Sequence, residues 1–394
     1  MNPANATIPP RNRWVDWLVI FLFSALLWLP TLDFFTGIDI TRPPSENRLP
    51  APRPRLTQWN LPAMKNYAAG AENFFNDHFG FRKRLIRWCQ QWKARLYHDE
   101  SGHKVVIGQH GWLFAGELQM IEHYLGMARF TPAQLRSWQT LLEKRRDWLA
   151  ARGIKYLFII PPDKHSVYPE ELPVWLQNAA PTNRETKLDQ FLQHMKAHST
   201  VEILDLRPTL LEAKKTAPLY LQNDQHWNML GGFLTAQEVV KTVSKQFPDL
   251  PPLKLEDFIW TNSPETNGDL IKFLGVQRSE KNYFVFTPKP SVAAPQLREA
   301  TNLVSMWNEH KPNTISENPA LQTEEVVMFC DSFSVPWQTF LGYSFRRIVF
   351  MGDHREFNPQ IITDNHPQIV INEMLERFFN TYDPEELMAK DALP

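Results

Sequence analysis

Short apolar runs alternate with helical segments through much of this sequence, and such an alternation predicts a mostly parallel sheet with helices on both faces. The run 156–160 is apolar at every position, which suits a strand buried on both faces. Pro161 and Pro162 end that run. We therefore expect an α/β fold of three layers, α/β/α. Its predicted strands are 156–160, 201–206, 325–329, 347–351 and 368–371.

Helix signals lie between and before these runs. Thr131 followed by Pro132 predicts a helix start, with threonine as N-cap and proline at the first helical position. Gly153 predicts the end of that helix. Weak periodicity between 250 and 325 predicts an irregular insertion. Further helices are predicted at 64–97, at 183–197, after Gly232 and at 335–341, and a short β element at 104–114.

The first forty residues contain a run, 17–32, that is apolar on every face and carries no charge. Arg11 and Arg13 precede it, which places the N-terminus in the cytoplasm and the rest of the chain outside. We expect a cytoplasmic stub and transmembrane signal-anchor over 1–36, although a removed signal peptide stays open. A proline-rich linker would follow over 37–63, and the catalytic domain would occupy 64–394.

The composition excludes several classes of function. A formal net charge of -1 over 394 residues lacks the basic surplus of a nucleic-acid binder, so we expect no nucleic-acid partner. Two cysteines, Cys89 and Cys330, cannot build a disulfide framework or a four-cysteine zinc site. The sequence contains no glycine-rich phosphate loop. We therefore expect neither a nucleotide cofactor nor a structural metal.

Polar clusters stand where catalysis is expected in a doubly wound sheet, at the carboxyl ends of strands. Ser332 follows the strand 325–329 and precedes a helix, whose backbone N–H groups could stabilise an oxyanion. His226 can serve as the base that a serine nucleophile needs, and Asp224 can orient the imidazole. Each cluster has an alternative interpretation. Asp331–Ser332 could be a helix cap, and Asp224 with His226 could be half of a metal site.

Lys164 follows the strand that ends at Ile160. It could contact an anionic sugar, although a lysine in this position is more often a solvated loop charge.

Several motifs, in this order, resemble the SGNH-hydrolase-like domain of the alginate O-acetyltransferases of the AlgX/AlgJ type. The resemblance covers about residues 73–377, and its specific part is the pair of motifs Asp-x-His-Trp and Asp-Ser-Phe. The family usually has glycine at the position of Cys330 and a small hydroxyl residue at that of Gln225. The motifs are Asn76–Arg82, Gly111–Phe114, Pro161–Lys164, Val167–Pro169, Asp224–Asn228, Asp331–Ser334 and Pro367–Ile371, with 373–377.

This resemblance implies an SGNH-hydrolase-like domain and a serine acyl-enzyme mechanism. Ser332 would carry the acetyl group, His226 would act as base and then acid, and Asp224 would orient it. The acceptor would be a hydroxyl of an exported polysaccharide, alginate or a similar exopolysaccharide. An integral-membrane acyltransferase would supply the acetyl group across the bacterial inner membrane, and the catalytic domain would lie in the periplasm. The anchor resembles that of the AlgJ-type members.

Three other functions stay open at this point. An acetyl esterase could use the same three residues, because water and a sugar hydroxyl attack the same acyl-enzyme. A non-catalytic scaffold of a polysaccharide-modification complex could keep the fold without the reaction. A metal hydrolase could use Asp224 and His226 as ligands.

Overall fold

The computed structural model describes residues 13–38, 51–56, 59–82, 84–85, 105–117, 119–263, 268–274, 278–300, 313–352, 357–391 and 393. The chain divides into two units, one formed by 1–99 with 272–276 and the other by 100–271 with 277–394. The boundaries predicted at residues 36 and 63 stay predictions.

The smaller unit contains the N-terminal apolar helix, Arg13–Thr36. Its stretch Asp16–Phe34 has 19 residues and a mean hydropathy of 1.8, long and apolar enough to cross a membrane. Large apolar side chains on it are exposed, and Trp17 and Trp28 each expose about 70% of their surface. A signal sequence would pass the same test of length and composition. The expectation of an apolar helix at this place is confirmed.

A second helix of this unit, Leu61–His78, begins where Asn60 accepts a hydrogen bond from the Ala63 amide at 2.8 Å. It starts three residues before the predicted segment 64–97 and ends well inside it. Phe81 stands at φ +58° in the turn that follows. Residues 86–104 lie outside the described part of the chain.

The larger unit is built on a seven-stranded sheet of order β4-β3-β11-β9-β10-β8-β7. Strands β4, β3, β11, β9 and β10 are parallel, and β8 and β7 extend the sheet antiparallel. Two hairpins, β1–β2 and β5–β6, stand apart from it. The strands are β1 (Val105–Ile107), β2 (Leu113–Ala115), β3 (Lys155–Ile160), β4 (Ile203–Asp205), β5 (Phe258–Asn262), β6 (Phe284–Pro288), β7 (Gln296–Glu299), β8 (Thr314–Glu317), β9 (Glu325–Phe329), β10 (Arg347–Met351) and β11 (Ile369–Glu373).

Helices cover both faces of this sheet, as expected from the alternation in the sequence. Thr131 caps Pro132–Ala150, and Gly153, at φ +73°, follows its end. The helix expected after Gly232 begins earlier, at Met229, because Asn228 caps it. The helices are Met120–Leu125, Pro132–Ala150, Lys164–Val167, Val174–Ala179, Lys187–His198, Arg207–Ala213, Met229–Ser244, Asp269–Phe273, Val335–Phe340, Pro359–Asn365 and Pro384–Asp391. Short 3-10 turns are Gln109–Gly111, Pro169–Glu171, Leu255–Asp257, Ser332–Ser334, Leu341–Tyr343 and Glu376–Asn380.

The strand β9 shows how the sheet is buried. Val326 and Met328 point into one hydrophobic layer, together with the helices Met229–Ser244 and Val335–Phe340. Val327 and Phe329 point into the other layer, together with Pro132–Ala150. A strand buried on both faces needs apolar residues at every position, which is the pattern of its sequence.

The stretch 250–325 differs from the irregular insertion that the sequence predicts. It contains β5, β6, β7 and β8, and two of these strands belong to the main sheet. All four residues of β7 are exposed, so this edge strand carries no apolar periodicity that a sequence could display. The stretch also supplies residues to the site described below.

Candidate active site

Ser332 lies at the carboxyl end of β9, where the strand turns into a helix. The turn Ser332–Ser334 leads directly into the helix Val335–Phe340. Asp331 caps this turn, because its Oδ1 accepts a hydrogen bond from the Phe333 amide at 2.7 Å. The side chain of Ser332 is partly exposed. The strand-to-helix turn predicted for this serine is confirmed.

The structure brings Ser332 together with His226 and Asp224, although 106 residues separate the serine from the histidine. Ser332 Oγ lies 2.8 Å from His226 Nε2. On the other side of the ring, Nδ1 lies 2.6 Å from Asp224 Oδ1. With Nδ1 protonated and donating to the carboxylate, Nε2 is free to accept the serine proton. This tautomer is the one that base catalysis by His226 requires.

The environment of Asp224 keeps its carboxyl group ionised. Burial alone would raise the pKa of Asp224, but the hydrogen bond and charge of His226 lower that pKa below its ordinary value. The Asp269 amide adds a hydrogen bond to Oδ2 at 2.8 Å. An ionised carboxylate beside Nδ1 would stabilise an imidazolium at His226.

Lys164 holds the loop that carries this acid and base. Its Nζ donates to four backbone carbonyl oxygens, and its side chain is 1% exposed. Both expected roles, a sugar contact and a solvated loop charge, are wrong, because the ammonium group is enclosed by protein. Burial lowers the pKa of Lys164 to about 7. The four acceptors are Leu113 O at 2.6 Å, Leu221 O at 2.8 Å, Gln222 O at 3.1 Å and Asp224 O at 3.0 Å.

Glu280, from the stretch 250–325, holds the same loop by its amides. The side chain of Glu280 is fully buried. Its Oε1 accepts from the Gln222 amide at 2.9 Å and its Oε2 from the Asn223 amide at 2.7 Å. Sequence reasoning missed this residue, because its partners are backbone atoms that leave no motif.

Gly268 lies close to the backbone of the same loop, at Asn223. A Cβ atom at this position would lie 2.3 Å from the Asn223 carbonyl oxygen, so no larger residue fits there without movement. The adjacent Asp269 supplies the amide that binds Asp224, and its own carboxylate lies 3.8 Å from His226 Nδ1. The segment that the sequence left unassigned therefore forms one wall of the site.

Gln225, where the family usually has a small hydroxyl residue, has a defined partner. Its Oε1 accepts from Arg377 Nη1 at 2.5 Å, and Arg377 Nε in turn donates to Asp163 Oδ1 at 2.7 Å. Burial raises the pKa of Asp163 to about 6, although the charge of Arg377 opposes this. The larger side chain at 225 thus connects the catalytic loop to residues that follow β3 and β11.

A buried acid supports the serine turn from below. Glu373, the last residue of β11, is fully buried and accepts from the Asp331 amide at 2.6 Å. Burial, and next the charge of Asp331, raise the pKa of Glu373 well above its ordinary value. The raised pKa favours the protonated form of the Glu373 side chain, which accepts the Asp331 amide.

Backbone amides near Ser332 are the expected oxyanion donors. Asp331 already occupies two of them, through Phe333 N at 2.7 Å and Ser334 N at 3.2 Å. The Ser332 amide makes no hydrogen bond to any residue in the described part of the chain, so it is available to an oxyanion. Cys330 is buried in the core, with its sulfur 3.5 Å from the Met351 carbonyl oxygen.

Ligand atoms of Asp224, His226 and Asp269 lie within 4.8 Å of one another, which is close enough to hold a metal ion. In the structure, however, Nδ1 of His226 is hydrogen-bonded to Asp224. A cation bound there through Nδ1 would have to replace that hydrogen bond.

Comparison with known proteins places this geometry in a family. Residues 105–342 match the family model described as the SGNH hydrolase-like domain of the acetyltransferase AlgX. The chain belongs to this family. The matched residues are more than half of the chain and include Asp224, His226 and Ser332. The expected SGNH-hydrolase-like fold class is confirmed, with a sheet that is mixed and mostly parallel.

Curated relatives of the chain share about a quarter of their residues with it. The probable alginate O-acetylase AlgJ of Pseudomonas aeruginosa is 26% identical over 239 residues, 56% of either chain. The corresponding protein of Pseudomonas syringae pv. tomato is 24% identical over 252 residues, 60% of either chain. The chain therefore spans less than two thirds of the length of these relatives.

A solved structure supports the fold. PatB1 of Bacillus cereus, with a sulfonyl adduct, aligns with a TM-score of 0.52 at 16% identity. The alignment covers 72% of this chain and 97% of that one.

Proposed function

We propose that this chain is an O-acetyltransferase that transfers acetyl groups to hydroxyls of an exported polysaccharide through an acyl-serine intermediate. The observation that carries the proposal is the line of hydrogen bonds from Asp224 through His226 to Ser332, in a chain of the AlgX family. A serine hydroxyl becomes a useful nucleophile when a neutral imidazole accepts its proton in this way.

The reaction has two halves. In the first, Ser332 Oγ attacks the carbonyl carbon of the acetyl donor while His226 Nε2 takes the serine proton. The Ser332 amide donates to the oxyanion, and the imidazolium then gives its proton to the leaving group. In the second half, a sugar hydroxyl attacks the acetyl-serine while His226 takes the hydroxyl proton. The bond between the acetyl group and Ser332 Oγ then breaks, and His226 gives that proton to Ser332 Oγ. Asp224 stabilises the imidazolium in both halves.

The relatives suggest the acceptor and the place of the reaction. They are named probable alginate O-acetylases, so alginate or a similar exopolysaccharide is the acceptor class. An integral-membrane acyltransferase would be the acetyl donor. The helix Arg13–Thr36 would anchor the chain in the bacterial inner membrane, and the linker 37–63 would place the catalytic domain 64–394 in the periplasm.

An acetyl esterase is the second candidate function, and the solvent exposure of Ser332 and His226 supports it. Ser332 and His226 are both partly exposed, so water reaches the acyl-serine as a sugar hydroxyl does. The partition of the acetyl group between water and acceptor separates the two functions.

The deciding experiment uses the full chain in detergent, as wild type, Ser332→Ala and Ser291→Ala. Ser291 is an exposed serine outside the site and serves as the matched control. An activated acetyl ester is supplied with and without oligouronates, and ester cleavage and sugar acetylation are followed by mass spectrometry. We expect Ser332→Ala to lower both rates by at least about 10³-fold and Ser291→Ala to leave them unchanged.

Other results of this experiment would support one of the alternative functions. Serine-dependent cleavage that yields only acetate under every acceptor condition supports the esterase. Equal rates in wild type and Ser332→Ala reject both serine mechanisms and leave the scaffold. Loss of activity on treatment with a chelator would favour the metal hydrolase built on Asp224, His226 and Asp269.

A further inference from the structure

A cleft separate from the Ser332 site opens on the same edge of the sheet. Its volume is about 520 Å³, and it lies at the carboxyl ends of β3 and β4. Sites in doubly wound sheets form along this edge. The side chains that matter for its chemistry are Tyr124, Ser166, Thr186, Arg184, Asp189 and Arg207.

The position of this cleft relative to the serine follows from the strand order. Strands β11 and β3 lie between β9, which carries Ser332, and β4. Three strand spacings correspond to roughly 14 Å. One extended ligand of several units can therefore occupy both places.

Arg184 is the arginine of the cleft that is available to a ligand. Its guanidinium stacks over the ring of Tyr124, with 4.3 Å between the guanidinium carbon and the ring centroid. Among the described residues it forms no ion pair with a carboxylate. Arg207 differs, because its guanidinium contacts Asp189 at 2.7 Å and Asp205 at 2.9 Å. One planar guanidinium with free N–H donors matches one carboxylate.

The rest of the lining suits sugar hydroxyls. Ser166 Oγ donates to Glu376 Oε1 at 2.8 Å, and Thr186 Oγ1 donates to Asp189 Oδ2 at 2.8 Å. Both hydroxyl protons are used, and Thr186 Oγ1 also accepts the Asp189 amide at 3.2 Å. Of these two oxygens, that of Ser166 is therefore the one left to accept from a ligand. The carboxylates of Asp189 and Asp205 repel a ligand with several negative charges, which disfavours phosphates. A ligand with one carboxylate and several hydroxyls fits this combination.

We infer that the cleft is a binding subsite for a carboxylate-bearing sugar unit of the acceptor chain, several units away from the unit that Ser332 acetylates. Arg184 pairs with the carboxylate of that sugar, and Tyr124 holds the guanidinium in place. This inference rests on the proposed function, since it assigns the acceptor as a uronate polymer. The subsite favours long acceptors over short ones.

The test compares Arg184→Gln with Arg152→Gln in the full chain in detergent. Arg152 is also exposed and stacked on an aromatic ring, 3.8 Å above Trp148, but it precedes β3 and so lies at the opposite edge of the sheet. Calorimetry measures ligand binding in the Ser332→Ala background. The ligands are long oligouronates, oligouronates too short to span three strand spacings (about 14 Å), and neutral oligosaccharides. Cleavage of a small acetyl ester is measured with Ser332 present.

We expect Arg184→Gln to weaken binding of long oligouronates about tenfold, as loss of one charge-assisted carboxylate contact does. In the unaltered chain, short oligouronates should bind more weakly than long ones. Ester cleavage should be unchanged in Arg184→Gln, and Arg152→Gln should behave as the unaltered chain. Unaltered binding of long oligouronates in Arg184→Gln, or binding of neutral oligosaccharides equal to that of uronates, overturns the inference. Absence of serine-dependent transfer with intact Arg184-dependent binding instead removes the proposed function and leaves the subsite.

Discussion

Ser332 and His226 share one hydrogen bond, yet the segments that carry them are held by different forces. Ser332 stands at the end of β9, whose residues are buried in apolar layers on both faces. His226 lies on an irregular loop whose backbone is hydrogen-bonded to the buried side chains of Lys164 and Glu280. Apolar packing therefore fixes the strand that precedes Ser332, whereas buried polar side chains fix the loop that carries His226.

Lys164 and Glu280 bind complementary backbone groups of this loop. Lys164 donates hydrogen bonds to the carbonyl oxygens of Leu221, Gln222 and Asp224. Glu280 accepts hydrogen bonds from the amides of Gln222 and Asn223. A cation and a carboxylate thus satisfy acceptors and donors that regular secondary structure would otherwise pair. Loss of either charge leaves buried backbone groups without partners, which costs about 1–3 kcal/mol per group.

The largest loss is expected for Lys164→Met. The apolar chain fits the same space but removes the lysine donor from four carbonyl oxygens, and Gln222 O keeps the Leu113 amide at 3.0 Å. The loop should therefore shift. A displacement of about 1 Å at a catalytic group lowers rates by about 100-fold. We expect kcat for ester cleavage to fall by at least that factor while KM changes little. Lys155→Met, an exposed lysine at the other end of β3, should keep the wild-type kcat, and equal losses in both variants would contradict the assigned role.

Glu280→Gln should produce a smaller loss on the same loop. The amide keeps one acceptor oxygen but turns an NH₂ group towards a backbone N–H. Loss of one charged hydrogen bond is worth about 1.5–3 kcal/mol, and about 1.4 kcal/mol in the barrier is tenfold in kcat. Steady-state kinetics should show a loss of about tenfold or more. Glu299→Gln, an exposed glutamate of the same stretch of chain, serves as the control and should show no loss. A wild-type rate in Glu280→Gln would mean that Lys164 alone holds the loop.

Glu373→Gln tests the serine side and should change pH dependence more than rate. Because the pKa of Glu373 is raised, the native state keeps a proton that the unfolded chain releases above about pH 4.3. The free energy of unfolding therefore falls as the pH rises above that value, by at most about 1.4 kcal/mol per pH unit. The neutral glutamine should remove this slope and leave kcat close to wild type.

Thermal unfolding of the full chain from acidic to alkaline pH measures that slope. Glu386→Gln, an exposed glutamate, should keep the wild-type slope. A Glu373→Gln slope identical to wild type would show that Glu373 ionises normally in the folded protein.

The two regions also differ in how far their sequences predict them. The strands at 156–160 and 325–329 were predictable because apolar residues at every position have few other uses in a soluble domain. Ser332 was predicted from its place after a strand, and Asp224 and His226 were predicted from their motif. Lys164 was misjudged because neither its position nor its type indicates burial. Glu280 was missed, and Glu373 was noted only within the segment 373–377 and without a role, because both bind backbone amides.

The strand order has a consequence for the order of folding. β11 lies between β3 and β9, and Lys155 in β3 pairs with Ile369 in β11. Synthesis from the N-terminus therefore produces Asp224, His226 and Ser332 before the strand that joins the two halves of the sheet. Closing so long a loop is slow compared with forming local contacts. A nascent chain that already carries these three residues thus still lacks β11, the strand that joins the two halves of the sheet.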